Sequence, residues 1–71
     1  MPNRLREVRL GKGLNQRQLS EMSHTPQATV SALERDAIRP WPAVAARLSG
    51  ALCVSSEQLF PEDRERVVSK N

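Results

Sequence analysis

The chain has 71 residues, 38% of them hydrophobic, and a formal net charge of +3. That length predicts one small domain. The single cysteine, Cys53, excludes an intramolecular disulfide, and one His with one Cys is too few ligands for a structural zinc site. No apolar run approaches the roughly 20 residues of a membrane span, and the N-terminus lacks the apolar segment of a signal peptide. We therefore expect a soluble, cytoplasmic protein that uses no metal or cofactor.

The positive charge is concentrated in the first part of the chain. Residues 1–40 carry seven Lys or Arg and four Asp or Glu, whereas residues 41–71 carry four of each kind. Because polyanions bind basic surfaces, this asymmetry favours a polyanionic partner for the N-terminal half. A mildly basic, solvated surface is the alternative explanation of the same charges.

The first two predicted helices are short, and each begins at an asparagine. Asn3 is a candidate N-cap of the first helix, and the two glycines that follow position 10 end it. Asn15 caps the second helix, which extends over about residues 16–23. The spacing places Leu19 and Met22 on its apolar face.

A tight turn separates the second helix from the third. Thr25 is predicted to cap the third helix, with Pro26 at its first position, where a missing N–H costs nothing. This helix reaches about Arg35. It carries Val30 and Leu33 on one face and small polar residues on the other, a surface suited to reading base edges in a DNA groove.

The second half of the sequence predicts two further helices. Pro42 suits the first turn of a fourth helix, which reaches about Leu52. Ser55 or Ser56 caps a short fifth helix, which Pro61 stops. The side chains expected to face inward are Val44, Ala45, Leu48, Leu52, Leu59 and Phe60.

No segment shows the alternating pattern of a β-strand, so we predict an all-α fold. A bundle of five helices occupies residues 1–60, and a charged C-terminal tail occupies residues 61–71. The tail is expected either to fray or to order against a partner. The helix pair at about residues 16–35 has the form of a helix-turn-helix, in which one helix braces a second that enters the major groove. The turn residue between such helices normally has positive φ and is Gly; here it is His24, a type that tolerates that conformation.

Several short segments follow one another in a fixed order. They are Leu14-Asn15-Gln16, Leu19-Ser20, Thr29-Val30-Ser31, Leu33-Glu34, Arg39-Pro40, Leu52-Cys53-Val54-Ser55 and Leu59-Phe60. No segment is specific alone, but together they resemble the Cro and phage-repressor type, XRE-like, of helix-turn-helix domain over about Leu5–Phe60. The resemblance implies a lambda-repressor-like five-helix fold, dimeric binding to partly palindromic operators, and a regulatory role.

The resemblance also assigns base-reading residues to the third helix. They are Gln27, Ala28, Thr29, Ser31 and Ala32. A glutamine can bond adenine through N6 and N7, and an alanine methyl suits the methyl group of thymine. The alternative is that these residues are solvated, helix-forming residues. Because two of them are alanines, we expect DNA shape to carry part of the specificity.

Phosphate contacts are expected at residues that flank the third helix. They are Arg9, Asn15, Gln16, Arg17, Arg35 and Arg39. Gln16 matches a family residue that bonds a phosphate and supports the reading helix. Arg9 and Glu34 match positions that form an ion pair between the first helix and the end of the third; two unrelated surface charges are the alternative.

The resemblance implies a homodimer through Val54–Phe60, although Leu59 and Phe60 could serve the core instead. Cys53 and Asp36 stand where the family usually has Gly. We expect Cys53 to be a small buried filler rather than a redox switch. For Trp41 we favour packing over the loop and the core, with an N–H bond to a phosphate as the alternative.

These observations predict a sequence-specific, double-stranded-DNA-binding transcriptional regulator, a small repressor or Cro-like protein of bacterial or phage origin. The alternative is a protein-interaction module or an antitoxin of the same fold. The sequence offers no nucleophile–base pair and no phosphate-binding loop, so we expect no enzymatic activity.

Overall fold

The computed structural model describes residues 3–61, which form five helices and no strand. The helices are α1 (Leu5–Gly11), α2 (Gln16–Ser23), α3 (Gln27–Glu34), α4 (Pro42–Leu52) and α5 (Ser56–Leu59). The predicted all-α fold with five helices is confirmed. Residues 62–71, which make up nearly all of the predicted charged tail, lie outside the described residues.

One buried cluster receives side chains from every helix. Its members are Leu5, Leu19, Val30, Leu33, Val44, Leu48, Leu52, Leu59 and Phe60. Helix α2 packs on both α3 and α4, α1 contacts α3, and α5 packs on α4. Of the inward-facing residues predicted in α4 and α5, only Ala45 is partly exposed. Because burying one such aliphatic side chain contributes about 1.5–3 kcal/mol, this cluster is the main source of stability.

The predicted N-caps of α2 and α5 are confirmed. Asn15 Oδ1 accepts the N–H of Gln18 at 2.7 Å, and the Gln18 side chain accepts the N–H of Asn15 at 2.8 Å. Ser55 and Gln58 form the same reciprocal capping box at α5. Two backbone amides that have no acceptor within the helix are thereby satisfied at each start.

The start of α1 differs from the prediction by one residue. Arg4 is the N-cap residue, and Asn3 lies just before it. The Asn3 side chain nevertheless accepts the N–H of Leu5 at 3.0 Å. The backbone N–H of Arg4 donates to the carbonyl of Leu59 at 2.9 Å, which joins the start of α1 to the end of α5.

Two predictions about α2 and the following turn are wrong. Met22 is 50% exposed, because the buried side of α2 passes through Leu19 and Ser23, one turn apart. Thr25 does not cap α3. Its side chain is buried and donates to the carbonyl of Ser23 at 3.2 Å, so Pro26 occupies the N-cap position instead.

Three non-glycine residues near helix ends have positive φ. They are His24 at 53°, Asp36 at 61° and Cys53 at 59°. The left-handed turn predicted at His24 is confirmed. The expectation that Cys53 is buried is wrong, because this residue is the C-cap of α4, where the chain leaves the core, and its thiol is exposed.

Two glycines provide a matched test of backbone strain. A Cβ added at Gly13 or at Gly50 would meet no atom within 4 Å, but Gly13 has φ +74° whereas Gly50 lies within α4. We expect Gly13→Ala to destabilise the fold by about 1–2 kcal/mol, because only the backbone conformation is affected. Gly50→Ala should stabilise the fold by up to about 1 kcal/mol. Urea unfolding followed by far-UV circular dichroism measures both; equal effects would contradict the strain at Gly13.

Candidate nucleic-acid interface

All five predicted base-reading residues lie on α3, and we call them the reading face: Gln27, Ala28, Thr29, Ser31 and Ala32. Gln27 and Ala28, in the first turn, are exposed, whereas the other three are half-buried. On the opposite side Val30 and Leu33 are fully buried. The first turn of α3 is therefore the part of the helix that another molecule can reach most easily.

Polar contacts fix the turn that leads into α3. The Ser20 hydroxyl donates to the carbonyl of Thr25 at 2.6 Å, and the N–H of Thr25 donates to the carbonyl of Ser20 at 3.1 Å. Because Thr25 is buried, these bonds are shielded from water. This role of Ser20 was not predicted from the sequence; its signal was a hydroxyl residue in the last turn of α2, next to the bend.

A buried ion pair holds the other end of α3. Arg9 Nε lies 2.6 Å from Glu34 Oε2, and Arg9 Nη2 lies 3.1 Å from Glu34 Oε1. The two side chains are only 8% and 4% exposed. The hydrogen bond that the Arg9 side chain donates to Glu34 raises the pKa of Arg9 above its already high ordinary value, so the guanidinium stays charged. This bidentate contact between α1 and α3 is the pair that the resemblance implied.

Helix α2 is joined to the same carboxylate. Gln16 Nε2 donates to Glu34 Oε1 at 3.1 Å, so one oxygen accepts from both Gln16 and Arg9. The third guanidinium nitrogen, Arg9 Nη1, donates to the carbonyl of Leu14 at 2.8 Å. The Arg9–Glu34–Gln16 network thus ties three helices together at the end of α3.

The structure separates the predicted phosphate-contacting residues into two groups. Arg9 is enclosed, and its three nitrogens all donate within the protein, so we assign it to the ion pair alone. The Asn15 side-chain oxygen accepts the Gln18 N–H in the capping box. The amides of residues 16 and 17 precede the first intrahelical bond of α2, from Leu19 N–H to Asn15, and so have no intrahelical acceptor.

The remaining predicted contacts lie on the surface. Arg35 and Arg39 are exposed at the end of α3 and in the loop that follows. Arg17 is also exposed, with its Nε 3.5 Å from Glu21 Oε2. An exposed pair at that distance is worth little, so Arg17 can exchange Glu21 for another anion.

Two other predicted surfaces differ from expectation. Leu59 and Phe60 of the predicted dimer segment are buried in the core, which leaves residues 55–58 as its exposed part. The favoured packing of Trp41 over the core is wrong, since this residue is 54% exposed. Trp41 has an extended backbone (ψ 163°) between two prolines and precedes α4, whose buried side begins only at Val44.

Comparison with known proteins places this arrangement in a family. A family model described as helix-turn-helix matches residues 5–59, a span that contains α1 to α5, the reading face and the Arg9–Glu34–Gln16 network. A search of curated proteins found no match. Within residues 3–61 no helix is long and apolar enough to cross a membrane. The chain belongs to the XRE-type helix-turn-helix family of DNA-binding domains.

Proposed function

We propose that the chain is a sequence-specific transcriptional regulator, a small repressor or Cro-like protein that reads an inverted-repeat operator in a bacterial or phage genome. One observation carries the proposal: the exposed first turn of α3 begins a helix whose far end is fixed by the buried Arg9–Glu34 pair. In helix-turn-helix proteins the N-terminal residues of the second helix contact base edges. A fixed helix with an exposed first turn suits that task.

The chemistry of the first turn suggests what is read. Gln27 can donate to N7 and accept from N6 of adenine, and the Ala28 methyl can contact the methyl group of thymine. Thr29, Ser31 and Ala32 are half-buried and have less surface to offer. We therefore propose that direct readout is concentrated at one or two base pairs per half-site and that DNA deformability supplies the rest.

Backbone anchoring comes from both sides of the reading face. We propose that the backbone amides of residues 16 and 17, at the start of α2, approach one phosphate. The second hydrogen on Gln16 Nε2, which is not donated to Glu34, lies beside them. Arg17, Arg35 and Arg39 approach neighbouring phosphates. These contacts fix the register of α3 on the duplex but carry no sequence information.

We propose that two copies of the chain associate through Val54–Phe60 and together bind one face of the DNA. A monomer presents only one reading face, whereas a two-fold pair reads two half-sites about 10–10.5 base pairs apart. The segment offers half-buried Val54 and the polar residues 55–58, because Leu59 and Phe60 serve the core. Because this patch is polar, we expect the two copies to associate weakly in solution and to form the dimer only when both bind the DNA.

Selection of binding sites from random duplexes tests the proposal. The purified 71-residue protein should enrich an inverted repeat whose half-sites lie about one helical turn apart. If no duplex is enriched while a protein partner is bound without dependence on salt, the chain is an interaction module of the same fold.

Phosphate anchoring can be tested through the salt dependence of binding. We expect Arg17→Ala and Arg35→Ala each to make the negative slope of log association constant against log [salt] shallower by about 1 per protomer, equally for all duplex sequences. Arg47→Ala, which removes an equal charge from the exposed surface of α4, serves as the matched control. If Arg47→Ala lowers the slope as much as the other two, the effect comes from net charge and not from the assigned contacts.

A further inference from the structure

The side chain of Asn3 joins the start of α1 to the end of α3. Its Oδ1 accepts the N–H of Leu5 at 3.0 Å, and its Nδ2 donates to the carbonyl oxygen of Leu33 at 2.7 Å. Oxygen faces a donor and nitrogen faces an acceptor, so both ends of the amide are matched in one orientation. The contact spans 30 positions in sequence.

The Leu33 carbonyl is one of the last four of α3, for which the helix has no N–H donor four residues further on. It accepts from Asn3 Nδ2 and from the N–H of Asp36 at 3.0 Å, besides the N–H of the C-cap residue Arg35. Asp36 is the positive-φ residue that turns the chain toward the loop containing Arg39. A single oxygen therefore links Asn3 to both the end of α3 and the start of that loop.

We propose that Asn3 is a positioning residue for DNA reading: it is a clamp that fixes the tilt of α3 on the bundle. The start of α3 is held through Ser20 and Thr25, and its far end through the Arg9–Glu34 pair. The pair holds α3 by a side chain, whereas Asn3 holds its backbone. This inference rests on the proposed function, because the tilt matters only if the reading face meets DNA.

Because α3 is short, a small movement at one end changes its tilt appreciably. The eight residues of α3 span about 12 Å, so a 1 Å movement at one end tilts the helix by about 5°. Bidentate base contacts are directional, and a tilt at Gln27 weakens them. Phosphate contacts of long, exposed arginines adapt to the same movement.

A simpler role for Asn3 is capping of α1 alone, and aspartate separates the two roles. Asn3→Asp keeps the oxygen that accepts the Leu5 N–H and adds a negative charge at a helix start, so capping is preserved or improved. It removes the donor to Leu33 and places a carboxylate against a carbonyl oxygen. A capping role predicts normal behaviour of Asn3→Asp, and the clamp predicts that it fails like Asn3→Ala.

The test combines amide hydrogen exchange with DNA affinity, using the full chain. The variants are Asn3→Asp and Asn3→Ala, with Ser49→Ala as the control that removes a side-chain hydrogen bond to a backbone carbonyl on α4, outside every proposed contact. We expect both Asn3 variants to exchange the Asp36 and Ala37 amides about fivefold faster and to bind the selected duplex about fivefold more weakly. Affinity for a scrambled duplex should not change, and Ser49→Ala should change none of these quantities.

The outcomes distinguish the clamp from the proposed function. Wild-type exchange and affinity in Asn3→Asp would overturn the clamp. If the wild-type chain selects no duplex, the proposed function fails, and exchange then decides: faster exchange at Asp36 in Asn3→Asp supports the clamp, and unchanged exchange overturns it.

Discussion

Glu34→Ala is expected to cost about 3–5 kcal/mol of folding free energy, because it leaves the Arg9 guanidinium buried without its counter-charge. It also removes the acceptor of Gln16, so α2 loses its bond to the same carboxylate. A chain of 71 residues has a total stability of roughly 4–11 kcal/mol, so this single change removes a large share of it. Urea unfolding followed by far-UV circular dichroism, together with the helical signal in water, measures the loss.

Glu21→Ala is the matched control for this result. It removes a carboxylate from the exposed Arg17–Glu21 pair, and we expect a change of less than about 1 kcal/mol. The double variant Arg9→Met with Glu34→Leu removes both buried charges and should recover most of the lost stability. A loss in Glu34→Ala as small as that in Glu21→Ala would contradict the structural role of the pair.

The second large effect is expected at Gln27. A good bidentate base contact contributes about 1–3 kcal/mol of discrimination, and a dimer on an inverted repeat makes it twice, so Gln27→Ala should weaken binding to the selected duplex by about 30-fold or more. Stability should hardly change, because the side chain is exposed. Titration of the selected duplex and of a scrambled duplex at one salt concentration gives the specificity ratio.

Ser49→Ala controls for the loss of a polar side chain elsewhere, on α4. It should leave the affinities for both duplexes at wild-type values. Two results would contradict base reading by Gln27: an unchanged specificity ratio in Gln27→Ala, or an equal loss of affinity on both duplexes. The second result would point to a phosphate contact or to a disturbed fold.

Local chemistry was enough to predict most helix boundaries. The asparagine before α2, the serine before α5 and the proline that begins α4 each act within one turn of the helix they start. The prediction failed where tertiary packing decides. Met22 has helical spacing from Leu19 but lies on the exposed flank of α2. The buried Thr25 donates its hydroxyl to the Ser23 carbonyl in the turn instead of capping α3.

The candidate site was predicted less completely than the fold. The Arg9–Glu34 contact was anticipated through family resemblance, because no spacing rule relates residues 25 positions apart. The role of Asn3 was missed for the same reason, because its acceptor on Leu33 lies 30 positions away. The role of Ser20 was missed although its acceptor, Thr25, lies only five positions away, because a hydroxyl residue next to the bend is a weak local signal. The exposure of Trp41 and Cys53 likewise depends on where each residue stands at an end of α4.

The bond from the N–H of Arg4 to the carbonyl of Leu59 has a practical consequence. It places the start of α1 and the end of α5 in direct hydrogen-bond contact, 2.9 Å from nitrogen to oxygen. Asn3, next to this junction, touches the last turn of α3, whereas Gln27 lies at the opposite end of that helix. The chain therefore enters and leaves the five-helix bundle at one place, separated from the first turn of α3 by the length of that helix. The same proximity makes the bundle suitable for circular permutation, with the old ends joined by a short linker.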